Sequence, residues 1–365
     1  MVQARFHPLA ISAITPEARS AISLSFAVPE VLRAAYQFTP GQYLTLRQTI
    51  DGVEQRRAYS ICAAPGEGEL RIAVKRVADG VMSGYLCEAA KIGDMIEVMT
   101  PTGRFGLTPD PARARNVVAF AAGSGITPIL SILRSVLESE PSSHCTLFYA
   151  NRGASDIMFR ETLETLKNRH LGRFSLLHIL SREEQDIPLL HGRLDAERIA
   201  KLLRRAAPQR IDHLFICGPA PMIDNVEHAA HTHGIAADAI HIERFVASDG
   251  GIPRPPTSRP AAPRPVEPVV GDAGTLITII ADGKRHAVPI EAGEKILDAA
   301  LRAGLDLPYA CKGGMCATCR ARIIEGQASM AVNYSLADWE LQAGFVLSCQ
   351  AQIEGAGVLI DFDAL

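Results

Sequence analysis

Pro308 to Cys319 reads PYACKGGMCATC, which crowds three thiols into one short loop. Cys311, Cys316 and Cys319 have the spacing C-x4-C-x2-C, and Cys349 follows in GFVLSCQ. Clustered thiols make a disulfide staple, a zinc knuckle or an iron–sulfur centre. The opening residues MVQARFHPLA lack the apolar core of a secretion signal. The expected location is therefore cytoplasmic, where reducing conditions disfavour disulfides and leave metal binding. C-x4-C-x2-C…C is the spacing of a [2Fe–2S] cluster. Two irons bridged by two sulfides need four thiolates, two per iron; a tight loop supplies three and a strand the fourth. Gly313 and Gly314 let that loop turn its N–H groups toward sulfur, which suits a centre of net negative charge. Zinc is the rival, although zinc sites built from four cysteines more often carry two C-x2-C pairs and this chain has one. Cys62, Cys87 and Cys145 are scattered and read as small buried hydrophobes.

The elements that position these thiols follow from pattern. A chain of 365 residues is long enough for two or three domains. Charged residues make up 21%, hydrophobic ones 47%, and the net charge is −3, so composition indicates a globular protein and gives no sign of a nucleic-acid partner. The most apolar stretch, NVVAFAAGSGITPILSILRSVL, is broken by Gly, Ser, Thr and Pro, which reads as strand, turn and helix rather than a membrane span. Residues 1–110 give short alternating runs (QYLTLRQ, LRIAVKRV, DMIEVMT) between Gly and Pro turns, the pattern of an antiparallel β-barrel. Residues 111–246 alternate strand with helix: NVVAFAA, ILSILRSVLES, CTLFYANR, IMFRETLETLKNRH, FSLLHILS, LDAERIAKLLRRA, DHLFICG, APMIDNVEHAAHTHG, AIHIERF. Such repetition implies an α/β domain with a parallel sheet and helices on both faces. Residues 247–272 are rich in proline and poor in apolar periodicity, which makes them an extended linker. Residues 273–365 begin with a hairpin, TLITIIADGKRHAVPI, turning at Asp282-Gly283, then the helix EKILDAALRAG and the cysteine loop. The three histidines of HAAHTHG read as a polar helix face beside the capping Gly234.

Upstream, RRAYSICAAP carries Arg57, Tyr59 and Ser60, and VKRVADGVMSGYL carries Val74, Lys75, Gly80, Val81, Met82 and Ser83. AAGSGITP follows a strand and opens a helix with Gly123, Gly125, Thr127 and Pro128; it lacks a full G-x-G-x-x-G. LSREE, FICGPAPM and IERF each end a strand. Together these segments resemble the ferredoxin–NADP reductase superfamily, with a plant-type [2Fe–2S] ferredoxin domain of α+β (β-grasp) fold at the C-terminus. The resemblance covers essentially the whole chain. It implies that Arg57 pairs with the diphosphate of FAD, Tyr59 packs on the isoalloxazine, and the Ser60 hydroxyl lies near flavin N5. It implies a second flavin segment through Val74 and Lys75, with the amides of Gly80–Ser83 meeting phosphate at a helix start. Gly123, Gly125, Thr127 and Pro128 would receive the pyridine nucleotide, and Ser181 and Arg182 would grip its adenosine end. A Ser–Arg pair suits a 2′-phosphate and hence NADPH over NADH, while Glu183 and Glu184 beside it would favour an NADH ribose if they turned inward. Cys217, Gly218 and Met222 match the family's C-G-P-x-x-M, whose Cys sits close to the nicotinamide; Glu243 and Phe245 would end near the flavin edge. Ser60, Cys217 and Glu243 are the candidate catalytic residues. Plainer readings stand beside these, such as a core Tyr59, a helix-capping Ser181 and a solvated Arg182.

The domain order, with the ferredoxin last, resembles reductase subunits of the phenylacetyl-CoA epoxidase (ring-1,2-monooxygenase) type from phenylacetate catabolism. That implies electron flow from NADPH through FAD and the cluster to a di-iron oxygenase component. From Gly271 onward, 12 acidic side chains face 7 basic ones, a balance that steers such a carrier toward a basic partner. Two alternatives remain open at this point: an NADH-dependent reductase of another oxygenase or reductase partner, and a non-catalytic redox-sensing module.

Overall fold

The computed structural model describes residues 5–206, 210–245 and 275–364. The linker expected at 247–272 lies outside the described residues. Two compact units result, one within residues 6–249 and one from the C-terminal segment.

The first unit opens with six antiparallel strands: β1 (Phe6–Ala18), β2 (Ala21–Ala27), β3 (Tyr43–Ile50), β4 (Val53–Ser60), β5 (Leu70–Lys75) and β6 (Met95–Met99). Their order is β4-β3-β6-β1-β2-β5, and an Ile61–Ile72 bridge joins the two outer strands into a barrel. Period-two alternation drives Leu9, Ile11, Leu44, Leu46, Ile96 and Val98 into one apolar interior. Between β5 and β6, helix α1 (Val81–Glu88) seats Met82 and Leu86 in that interior.

The same unit continues through β7 (Asn116–Ala122), α2 (Ile126–Ser139), β8 (His144–Asn151), α3 (Arg160–Arg169), β9 (Phe174–Leu180), α4 (Ala196–Ala206), β10 (His213–Gly218), α5 (Ala220–Thr232) and β11 (Ile240–Arg244). All five strands are parallel, in the order β11-β10-β7-β8-β9. Helices α2 and α3 cover one face and α4 and α5 the other, as the alternating pattern requires. Two helix starts differ from the sequence reading. Helix α2 begins at Ile126, with Pro128 inside the first turn, where a missing N–H costs nothing. Helix α3 begins only at Arg160, because Met158 and Phe159 turn inward to full burial and Phe159 takes φ 58°.

Barrel and parallel sheet share one core. Phe105 stands edge-on to Phe215 at 5.4 Å, Ser131 Oγ donates to the Ala63 carbonyl at 2.6 Å, and Arg134 pairs with Glu67 at 2.9 Å. Cys62 and Cys145 are buried as expected, whereas Cys87 is only half-buried, its thiol directed at the Val74 carbonyl. The histidines of HAAHTHG are exposed at the end of α5.

The second unit contains β12 (Thr275–Ala281), β13 (Lys284–Ile290), α6 (Ile296–Arg302), β14 (Arg320–Glu325), β15 (Ala328–Met330), α7 (Asp338–Gln342), β16 (Phe345–Leu347), β17 (Ala351–Ile353) and β18 (Leu359–Asp361). The main sheet runs β13-β12-β18-β14-β16, with β12 parallel to β18 and the remaining pairs antiparallel; β15 pairs with β17 apart from it. Helix α6 packs Ile296, Leu297, Ala299 and Ala300 into the same core as Cys319 and Cys349. No described helix is long and apolar enough to cross a membrane.

One half-buried histidine pair should make the first unit sensitive to acid. His213 on β10 and His241 on β11 share a 3.0 Å contact between Nδ1 and Nε2, and His241 stacks on Phe215 at 4.6 Å. Burial, then repulsion from His213, pushes His241 down to about 4, while Asp238 opposes; burial also lowers His213, which Arg115, Asp212, Glu140 and Asp238 surround. Both rings are therefore neutral when folded, and the unfolded chain takes up their protons first. Stability is complete above the ordinary histidine range near 6.5 and falls as pH drops toward 4. In urea denaturation at pH 7 and pH 5, His241→Phe should keep the stacking on Phe215 and shrink the loss between the two values. An unchanged loss would show that this pair does not set the acid sensitivity.

Candidate functional site

The cysteine loop lies between α6 and β14, and three left-handed residues shape it: Lys312 (φ 50°), Gly314 (φ 77°) and Ala317 (φ 52°). A Cβ on Gly314 would stand 3.1 Å from the Val332 carbonyl oxygen, so both conformation and space favour glycine there. The turns aim donors at sulfur. Gly313 N–H donates to Cys311 Sγ at 3.3 Å, Cys311 N–H to Cys316 Sγ at 3.5 Å, Thr318 Oγ1 to Cys316 Sγ at 3.2 Å, and Gln350 Nε2 to Cys349 Sγ at 3.6 Å.

The four thiols sort into two pairs. Cys316 hydrogen-bonds Cys311 and lowers it to about 6, against the effect of burial. Cys319 likewise lowers Cys349, and the two donor thiols rise in return. Two such pairs suit two irons, each needing two protein thiolates, and the spacing C-x4-C-x2-C…C is that of a two-iron centre. All four are unbridged and at least partly buried, and N–H groups are already directed at them. The donor set therefore fits a [2Fe–2S] cluster.

In the barrel, the pleat of β4 puts Arg57 and Tyr59 on one face and Ser60 on the other. Arg57 is exposed, Tyr59 is partly buried with its phenol pushed up by burial, and Ser60 is buried. The neighbouring Arg56 is spoken for by Glu54 at 2.8 Å and by the Phe6 ring, whereas the exposed Arg57 has no carboxylate partner among the described residues and donates only to the Arg56 carbonyl at 2.8 Å. Gly80 precedes α1 as expected, so the amides of Val81, Met82 and Ser83 form an open first turn. The Ser83 hydroxyl is committed within that turn: it accepts from Val77 N–H and donates to the Gly80 carbonyl. The Val74 side chain is fully buried, so only its backbone faces outward. These features fit an anionic dinucleotide: an exposed cation, an aromatic face and a helix N-terminus.

The order of the parallel sheet reverses between β7 and β10, and ligands of such sheets lie at the carboxyl ends of the strands at that point. Gly123 (φ 54°) and Gly125 form the turn that follows β7 there, and Cys217 and Gly218 end β10. A Cβ on Gly125 would stand 2.1 Å from the Cys217 carbonyl oxygen, so glycine lets the α2 turn lie directly on β10. Thr127 Oγ1 donates to the Ser124 carbonyl at 2.9 Å and stiffens the turn that Pro128 continues. Met222 packs over Gly218. Cys217 is fully buried, and burial raises its thiol, with Glu243 as its register partner on β11 adding to the effect. The sheet thus joins two of the three candidate catalytic residues. Phe245 lies just beyond β11 and is 36% exposed. Lys75, at the end of β5, reaches this turn: its Nζ lies 3.6 Å from the position of a Gly123 Cβ, and burial lowers it.

At the end of β9, Ser181 is half-buried and Arg182 exposed. Sequence reasoning missed Arg152 beside it. The Arg182 N–H donates to the Arg152 carbonyl at 2.8 Å, so two exposed guanidinium-bearing residues stand on adjacent strand ends. The ANR at the end of CTLFYANR was the available signal, but it needed the β8–β9 register. Glu183 turns away to accept the Ala154 N–H at 3.0 Å and lies over Gly153.

Residues 8–106 match the oxidoreductase FAD-binding domain family, 120–228 the oxidoreductase NAD-binding domain family, and 279–354 the 2Fe-2S iron-sulfur cluster binding domain family. The chain is 44% identical over 361 residues to a component of the 1,2-phenylacetyl-CoA epoxidase of Escherichia coli, covering 98% of each chain. The chain belongs to the three-domain oxygenase reductases. It is an oxidoreductase with flavin, nicotinamide-nucleotide and [2Fe–2S] domains. It is also 34% identical to the ferredoxin reductase component of 3-ketosteroid-9-alpha-monooxygenase of Mycobacterium tuberculosis, over 97% of this chain and 95% of that one. Phthalate dioxygenase reductase shares the fold across 98% of both chains, with a TM-score of 0.58 and 23% identity.

The contact between Gly125 and Cys217 yields a direct test. In Gly125→Ala the added methyl must push β10 and the α2 turn apart. Reduction of ferricyanide by NADPH should fall at least about tenfold, while bound flavin absorbance stays unchanged because the barrel is untouched. Unaltered rates in this variant would remove the turn from the coenzyme site.

Proposed function

We propose that this reductase oxidises NADPH and delivers electrons singly to the oxygenase component of a phenylacetyl-CoA epoxidase, a di-iron partner. The observation that carries the partner assignment is the 44% identity to the Escherichia coli epoxidase component, which runs end to end across all three domains. When bound, FAD accepts a hydride and releases single electrons, and the cluster carries one at a time.

The chain's own residues hold and orient these groups. Arg57 and the first turn of α1 would take the flavin diphosphate, Tyr59 would offer its ring to the flavin, and Ser60 would supply a hydroxyl near the reacting edge. The turn from Gly123 to Pro128 admits the coenzyme diphosphate. Buried Cys217, with Gly218 and Met222, would keep water from the nicotinamide, and Glu243 and Phe245 would border it. Cys311, Cys316, Cys319 and Cys349 would hold the cluster, the first two on one iron and the last two on the other.

The preference for NADPH rests on charge. Arg182 and Arg152 present two cations at the adenosine end, and neither has an ion-pair partner among the described residues. Of the two carboxylates that would otherwise favour an unphosphorylated ribose, Glu183 is engaged by the Ala154 amide and Glu184 is exposed. A charge-assisted hydrogen bond contributes about 1.5–3 kcal/mol, so Arg182→Ala should lower kcat/KM for NADPH by roughly 10- to 150-fold. The value for NADH should barely move. Steady-state kinetics with both coenzymes, using the cognate oxygenase as acceptor, checks this. Equal losses for the two would make Arg182 structural, and a parent enzyme that prefers NADH would overturn the assignment.

A further inference from the structure

Gln350 follows the fourth thiol and is 4% exposed. A buried amide at this position must find partners, and its partners lie on both sides of the cysteine loop. Its Nε2 donates to the Lys312 carbonyl at 2.8 Å and lies 3.6 Å from Cys349 Sγ. Its backbone carbonyl accepts the Ala331 N–H at 3.2 Å, and its Cγ would touch a Cβ on Gly314 at 3.2 Å. The segment it grips through Ala331 also holds Gly314, whose carbonyl accepts from Tyr334 N–H and Ser335 Oγ. Lys312, whose carbonyl it holds, is a non-glycine residue at positive φ, a conformation that persists only where the surroundings enforce it.

We propose that Gln350 is a positioning residue that sets the reduction potential of the cluster. It anchors the strained Lys312 peptide between Cys311 and Gly313 and directs an N–H at the Cys349 sulfur. A donor aimed at a thiolate ligand stabilises the reduced centre, which carries the extra negative charge, more than the oxidised one. Loss of the donor therefore makes the couple more negative. The assignment rests on the proposed ligand set, and iron and sulfide analysis of the parent protein tests that set separately.

The experiment is a potentiometric titration of the full-length holoprotein, following the electron paramagnetic resonance signal of the reduced cluster so that flavin does not interfere. Gln350→Met keeps length and apolar volume and removes the donor. At parental iron and sulfide content its reduction equilibrium should shift roughly tenfold toward the oxidised form, about 59 mV for a one-electron couple. An unchanged potential at parental cluster content overturns the proposal. Should Gln350→Met lose the cluster, adding Lys312→Gly relieves the positive-φ strain. The double variant should then regain cluster and titrate at the lower potential. Regained cluster at the parental potential, or no cluster even then, makes Gln350 purely structural and overturns the proposal.

Discussion

Four thiols gathered in a protein interior repel one another once ionised, and most of the second unit's local geometry answers that repulsion. Burying unpaired negative charge is costly unless donors face it. The loop supplies donors by adopting left-handed backbone at Lys312, Gly314 and Ala317, which turns successive N–H groups toward sulfur. Thr318 and Gln350 add side-chain donors. Cys311 lies beside Cys316 and Cys319 beside Cys349, an arrangement that would suit a two-iron centre.

The first unit handles negative charge in a related way. In the proposed reading, diphosphates would be met by helix starts and tight glycine turns, at Gly80 before α1 and at Gly123–Gly125 before α2, with Arg57, Lys75, Arg152 and Arg182 as the nearby cations. The flavin barrel and the nucleotide sheet share one core through Phe105, Phe215 and Ser131, which suits hydride transfer between fixed partners. The one-electron carrier is a separate compact unit. The division follows the chemistry: a hydride moves over a short distance between bound groups, whereas single electrons go to a partner protein.

Features encoded by short-range pattern were legible from the sequence. The cysteine spacing, the βα alternation, the Asp282-Gly283 hairpin and the opening of α1 at Gly80 each depend on neighbours within a few residues. What was missed depends on register between distant strands. Arg152 gains meaning only when β8 lies beside β9, and Glu183 could not be assigned until its carboxylate was found on the Ala154 amide. The late start of α3 has a similar origin. The periodicity of IMFRETLETLKNRH is helical from its first residue, but Met158 and Phe159 are drawn into the core under β8, and tertiary burial overrides propensity. Gln350 carried no signal in the sequence, because its partner Lys312 is remote from it.

Everything downstream of the flavin depends on the four thiols serving two metals in pairs. Mössbauer spectroscopy of the full-length protein grown on 57Fe, with chemical iron and sulfide determination, tests this most directly. Two irons and two acid-labile sulfides per chain are expected, with one ferric and one ferrous site in equal amounts after one-electron reduction. A single metal per chain, zinc or iron, without sulfide would contradict the pairing.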